Sequence, residues 1–171
     1  MSKDTSFLLR PVLKRNLVDL KAENVSETSG SGKIVIELNV ATSQNDWVLD
    51  TGSCAHICMN FQALSHERKL RNKEVQLQVG NGASVAAIAV GRVELYLPSG
   101  LVLELKDVYF VPTISRNIIS ISCLEEDGFS FVIKDKCCSI YKNGLYYGSS
   151  YMINGLYMLE INKSVFNINN K

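Results

Sequence analysis

From residue 33 onward the chain is written in short alternating runs set between turn residues, a pattern that excludes most helical architectures. Val75-Gln76-Leu77-Gln78-Val79 has the period of two of a half-buried strand. Asn81-Gly82 follows as a hairpin turn, because both residues tolerate positive φ. Further strands are predicted at 34–40, 85–90, 93–97, 101–105 and 108–111, with Pro98-Ser99-Gly100 as a turn and Pro112 as a stop. One helix is predicted over 117–127, with Ile118, Ile119, Ile121 and Leu124 as its apolar positions and Gly128 at its C-cap. Strands resume at 129–133, 139–141 and 156–161. Asn-Gly-Leu-Tyr occurs twice, at 143–146 and 154–157, and reads as two similar hairpin turns. Short strands at this spacing imply an all-β barrel or sandwich carrying one short helix in its C-terminal part.

A chain of 171 residues with 46% hydrophobic content suits one domain with a sizeable core. That domain is expected at 33–162, between a flexible polar segment at 1–32 and a polar, asparagine-rich tail at 163–171. The first segment closes on Ser26-Glu27-Thr28-Ser29-Gly30-Ser31-Gly32, a linker composition, and Pro11 limits any helix within it. The net charge of +1 gives no strong pull toward nucleic acid or an anionic membrane. The longest apolar run, at 85–90, is far too short to span a bilayer, and Met1-Ser2-Lys3-Asp4 does not open a signal peptide. Five cysteines make an odd count, which fits a reducing compartment. A soluble, cytoplasmic protein is expected.

The residues that carry chemistry are Asp50-Thr51-Gly52, which end the apolar run Trp47-Val48-Leu49. An acid on a tight loop beside a glycine is how an aspartic peptidase presents its carboxylate. Such a carboxylate activates water best when it shares a proton with a second one. The chain has no second Asp-Thr/Ser-Gly, so the partner would come from another copy of the chain. The tripeptide by itself is also an ordinary turn, since Asp and Gly are common in turns.

The order of features narrows this choice. Asp50-Thr51-Gly52-Ser53 is followed by a hairpin bearing Val79-Gly80-Asn81-Gly82, then Asp107-Val108-Tyr109-Phe110-Val111-Pro112, then Arg116-Asn117-Ile118-Ile119-Ser120 and a helix ending in Gly128-Phe129. Over roughly residues 34–161 this resembles the protease-region β-barrel domain of copia-type LTR retrotransposon Gag-Pol polyproteins. The resemblance implies a closed, retropepsin-like β-barrel. It also implies a homodimer in which Asp50 is catalytic, Thr51 bonds across to the other loop, and Gly52 lets the two loops approach. Val79, Gly80, Asn81 and Gly82 would form the flap over an extended polyprotein peptide. It implies no cofactor. Thr113-Ile114-Ser115 stands where retroviral proteases carry a hydrophobic-hydrophobic-Gly element. Lys14-Arg15-Asn16 resembles the tail of the family's zinc knuckle. Val12 and Leu17 occupy its His and Cys positions, so the knuckle and its RNA binding are expected to be lost. A truncated copy is expected, and a catalytically inactive barrel remnant serving as an interaction module is the alternative.

Cys54, His56 and Cys58 alternate and in a strand would face one side, but structural zinc needs wider spacing and a fourth ligand, so no metal is expected. A Cys54–His56 thiol nucleophile is disfavoured by the same close spacing. Cys137-Cys138 reads as packing. The basic stretch at 66–73 reads as a solvated loop or helix face, and its lack of aromatic residues argues against a nucleic-acid partner.

Overall fold

The computed structural model describes residues 45–79 and 82–162. The expected strand at 34–40, the polar segments at 1–32 and 163–171, and Gly80 and Asn81 of the expected flap lie outside those residues.

The first elements are β1 (Trp47–Asp50), β2 (Ile57–Cys58), a 3-10 turn at Phe61–Ala63, and β3 (Ser65–Lys69). A hairpin of β4 (Gln76–Gln78) and β5 (Ser84–Ala86) follows, then the long strands β6 (Ala89–Tyr96) and β7 (Val102–Phe110). After β8 (Asn117–Ser120) and the helix α1 (Ile121–Glu126), the chain ends in β9 (Phe129–Lys134), β10 (Cys137–Lys142), β11 (Leu145–Ile153) and β12 (Leu156–Leu159). The all-β expectation with one short helix holds. Ten strands form one sheet in the order β3-β6-β7-β2-β8-β1-β12-β11-β10-β9, and β4-β5 form a separate pair. No described helix is long and apolar enough to cross a membrane.

Alternation fixes which face of each long strand is inside. In β6, Ala89, Gly91, Val93 and Leu95 point inward while Arg92 and Glu94 are exposed. In β7 the inward residues are Leu103 and Leu105, then Val108. That change of parity comes from a bulge: Leu105 pairs with Val93 but Val108 pairs with Gly91, and Asp107 takes a φ of 49°. Leu95, Leu103, Leu105, Ile119, Leu124 and Ile140 are fully buried in the main core, each worth about 1.5–3 kcal/mol of burial. A second cluster of Ile57, Val79, Ala87, Val111, Ile114 and Ile118 adjoins the β4–β5 hairpin.

The two Asn-Gly turns form as expected. Asn143 and Gly144 have φ of 51° and 77°, Asn154 and Gly155 have 50° and 83°, and they join β10 to β11 and β11 to β12.

Several expectations are corrected. Residues 117–120 are not the first turn of a helix but the strand β8, which pairs in parallel with β1, Asp50 opposite Ser120. The helix begins only at Ile121, where the Ser120 side chain caps it by accepting from the Cys123 N–H. The basic stretch is in part the edge strand β3, fully exposed and paired with β6. The apolar run at 85–90 divides between β5 and β6. Cys54 precedes the two-residue strand β2, so Cys54, His56 and Cys58 do not share one strand.

Candidate active site

The site is built where β1 ends between two neighbours. β8 runs parallel to it on one side and β12 antiparallel on the other, so the Asp50 backbone is fixed within the middle of the sheet. Asp50 is only 3% exposed. The chain then turns, and the Gly52 N–H donates to Asp50 Oδ1 at 2.7 Å. An added Cβ at Gly52 would lie 3.3 Å from that same oxygen, so the glycine lets the loop close on its own carboxylate. Asp50 Oδ2 is buried and has no hydrogen-bond partner among the described residues. Burial raises the Asp50 carboxyl above its ordinary range, partly offset by the Gly52 and Ser53 backbone N–H groups. The result is a carboxyl group with one oxygen held, the other unengaged, and a bias toward keeping a proton. Thr51 is half-buried beside it.

The loop that carries these groups is fastened to the β8–α1 junction. Ser120, fully buried, donates from Oγ to the Ser53 carbonyl at 2.7 Å, and Ser122 Oγ donates to the same carbonyl at 3.2 Å. The Ser120 N–H donates to His56 Nδ1 at 3.1 Å. His56 is 2% exposed, and burial pushes its pKa down to about 4 although the Asp127 and Asp107 carboxylates oppose the change. Its ring is therefore neutral near pH 7. With Nδ1 accepting, the ring proton sits on Nε2. Its carbonyl accepts from the Tyr109 N–H at 2.9 Å, which ties the loop's end to β7.

Asn117 braces the approach to the site. Its Nδ2 donates to the Asp46 carbonyl and its Oδ1 accepts from the Met59 N–H, both at 3.0 Å. One buried carboxamide thus joins the start of β1 to the end of β2. Sequence reading placed Asn117 and Ser120 in a motif without giving either a task, and weighed His56 only as a metal ligand or as the partner of a Cys54 nucleophile, both of which it disfavoured.

Of the expected flap residues, Val79 is buried in the second core cluster and anchors the β4–β5 hairpin. Its N–H donates to the Ala83 carbonyl and its carbonyl accepts from the Gly82 N–H, with Gly82 at a φ of 83°. The strands of this hairpin are exposed except for half-buried Leu77 and Val85. Among the described residues no three His, Cys, Asp or Glu side chains are grouped to hold a metal ion. Cys54 is exposed, whereas Cys58 is fully buried with its thiol pushed up to about 12 by burial. A cavity of about 230 Å³ is lined by Cys54, His56, Asp107, Tyr109, Cys123 and Asp127 among others, and Asp50 is not in its wall.

Every group that holds the Asp50 loop lies between β1 and α1. Comparison with curated proteins and with solved structures gave no match. Residues 47–129, the stretch from the first residue of β1 to the first residue of β9, match the family model described as Pol polyprotein, beta-barrel domain. The stretch that carries Asp50, His56, Ser120 and the bonds between them is thus similar to the β-barrel domain of a retrotransposon or retroviral Pol polyprotein, and the match supports a Pol-derived domain.

Proposed function

We propose that this domain is the aspartic endopeptidase of a copia-type Gag-Pol polyprotein, acting as a homodimer in the cytoplasm. The observation that carries the reading is the state of Asp50: Oδ1 held by the Gly52 N–H, Oδ2 buried without a partner, and the carboxyl raised by burial. Two such groups brought together share one proton, because both cannot ionise at close range. The charged Asp50 takes a proton from water as the water attacks the scissile carbonyl. The protonated Asp50 of the second copy donates to the carbonyl oxygen. Collapse of the tetrahedral adduct then sends a proton to the leaving nitrogen and breaks the C–N bond. Protonation belongs to the pair, so activity peaks on the acid side of neutrality.

A closed, retropepsin-like arrangement of the sheet belongs to this reading, and the description of the matched family as a β-barrel supports it for the matched stretch, β1 to β8. The exposed, separate β4–β5 hairpin suits a flap that adds strand-like hydrogen bonds to an extended peptide. Thr51 would bond across to the second copy's loop.

A second reading, a non-catalytic interaction module, is favoured by the burial of Asp50. At 3% exposure in one chain, it meets a second carboxylate only if the loop at 51–54 gives way on dimerisation. Cleavage of a Gag-Pol junction precursor from pH 4.5 to 7, beside Asp50→Asn and with the oligomeric state measured by sedimentation, separates the two. Cleavage lost in the variant and carried by a dimer supports the peptidase. A folded chain that stays monomeric with substrate and cuts nothing supports the module.

A further inference from the structure

We propose that His56 and Ser120 are positioning residues for the Asp50 carboxylate, working as one clasp on the loop that holds it; this rests on the peptidase reading. The clasp has a specific geometry. Ser120 lies in register with Asp50 on the neighbouring parallel strand, so β8 delivers it beside the start of the loop. From that one residue two bonds reach the loop: Oγ–H to the Ser53 carbonyl at 2.7 Å, and N–H to His56 Nδ1 at 3.1 Å. Between the strand end and the first of these bonds lie Thr51 and Gly52, and the Gly52 N–H is what holds Asp50 Oδ1. The loop is therefore pinned immediately after the donor that orients the carboxylate, and again three residues later.

A buried imidazole must find partners for its ring nitrogens. His56 accepts at Nδ1 from a backbone N–H that β8 leaves pointing at it, 64 residues away in the chain, and it is this choice of partner that ties the loop to β8. Ser120 is engaged on every side: its Oγ also accepts from the Cys123 N–H and caps α1. A shift of α1 or β8 is thus transmitted to Ser53, the residue that follows Gly52. Misplacement of a reacting group by about 1 Å lowers rate by roughly a hundredfold. A slackened clasp should therefore act on turnover and leave peptide affinity nearly unchanged.

Three variants test this: His56→Leu, His56→Asn and Ser120→Ala. Asparagine places a carbonyl oxygen near the position of Nδ1 and keeps the acceptor, whereas leucine keeps bulk and removes it. Two readouts are taken on folded protein: kcat and KM on a junction peptide, and the titration of the Asp50 carboxyl followed by carbon-13 NMR. Relative to wild type, His56→Leu is expected to lower kcat roughly a hundredfold with KM little changed, and His56→Asn to stay within about tenfold. In the leucine variant the Asp50 titration should fall toward the ordinary carboxylate range as water reaches the loosened loop. In the asparagine variant it should stay raised.

Equal kcat and equal Asp50 titration for leucine and asparagine would overturn the clasp. If His56→Leu does not fold, Ser120→Ala carries the decision, with unchanged kcat and unchanged Asp50 titration as the overturning result. If no chain cleaves, wild type included, the Asp50 titration alone decides the clasp, and the peptidase reading is the one that falls.

Discussion

Strands β9 to β12 pair in the order in which the chain makes them, while β1, β2 and β8 find partners tens of residues away. Each C-terminal strand meets the next across a tight turn, as in the ladders of β9 with β10, β10 with β11 and β11 with β12. In the centre, β1 joins β8 and β2 joins β7, both in parallel. The two regions also differ in what they hide and what they show. The centre buries Asp50, Ser53, His56, Asn117 and Ser120, whereas the C-terminal strands bury only Ser149 and Ser150 among polar residues. The C-terminal strands instead leave Val132, Ile133, Leu145, Tyr146, Tyr151 and Ile153 exposed. Buried polar groups tolerate little error, since each must find its partner or lose stability. Local hairpins carry no such demand. The difference separates a ladder of local hairpins from a centre whose buried polar groups surround one carboxyl group.

The largest effect that would break this contrast is at Asp50. Asp50→Asn should reduce cleavage to background yet leave the fold as stable as before, or more so, near pH 7. The sign follows from the raised carboxyl. The folded chain favours the protonated form, so its contribution to stability is present below the ordinary carboxylate range and lost as pH rises through the raised value. Asparagine removes that loss. Thermal melts should show a gain at pH 7 that fades near pH 3, and a clear fall at pH 7 would mean that the site stabilises the charged form.

Next in size is the response of His56 to acid. Its folded value of about 4 lies below the ordinary 6.5, so its contribution is present above 6.5 and lost as pH falls toward 4. That loss is on the order of 3 kcal/mol. Urea unfolding at pH 7 and pH 4 should show it in the wild-type chain and much less of it in His56→Asn. An unchanged difference would place the acid sensitivity elsewhere, and the contrast between regions would lose its main electrostatic support.

A smaller pair of changes compares the regions directly. Asn117→Ala leaves the Met59 N–H and the Asp46 carbonyl without their side-chain partner and should cost about 1–3 kcal/mol. Gly144→Ala, at a φ of 77° in the β10–β11 turn, should cost about 1 kcal/mol through backbone strain alone. Equal losses in denaturant unfolding would argue against a more demanding centre. The smallest effect is expected at Val132→Lys on the edge strand β9, where the side chain is 55% exposed: within about 0.5 kcal/mol by thermal melt. A larger change would show that β9 is covered in solution.

Much of the scaffold was legible because it is local. The alternation over 93–97 and the two Asn-Gly turns announce the second half of β6 and the last two hairpins without reference to anything distant. The turn between β9 and β10 was not legible, since Asp135 and Lys136 adopt φ of 50° and 62° with no glycine to mark it. β3 was hidden for a different reason. An edge strand with both faces in solvent has no apolar side, so Ser65-His66-Glu67-Arg68-Lys69 shows no period. Ile118 and Ile119 fit a helix or a strand equally well in sequence, and only pairing with β1 decides. The same distance obscured the site. Asp50-Thr51-Gly52 stands out as a tripeptide, but the bonds from Ser120 to His56 and Ser53 join residues 64 and 67 apart and leave no local pattern.

The parallel pairing of β1 with β8 also sets a schedule. Asp50 is made early, but its described strand partners are residues 117–120 and 156–159. Until the ribosome has delivered residues 117–120, β1 lacks both of its described neighbours and the loop after Asp50 lacks its bonds to Ser120. A nascent chain, or one clipped before Ser120, contains Asp50 without the Ser120 bonds that fasten its loop. Timing of this kind leaves an incomplete product without the bonds that hold the Asp50 loop, by topology alone.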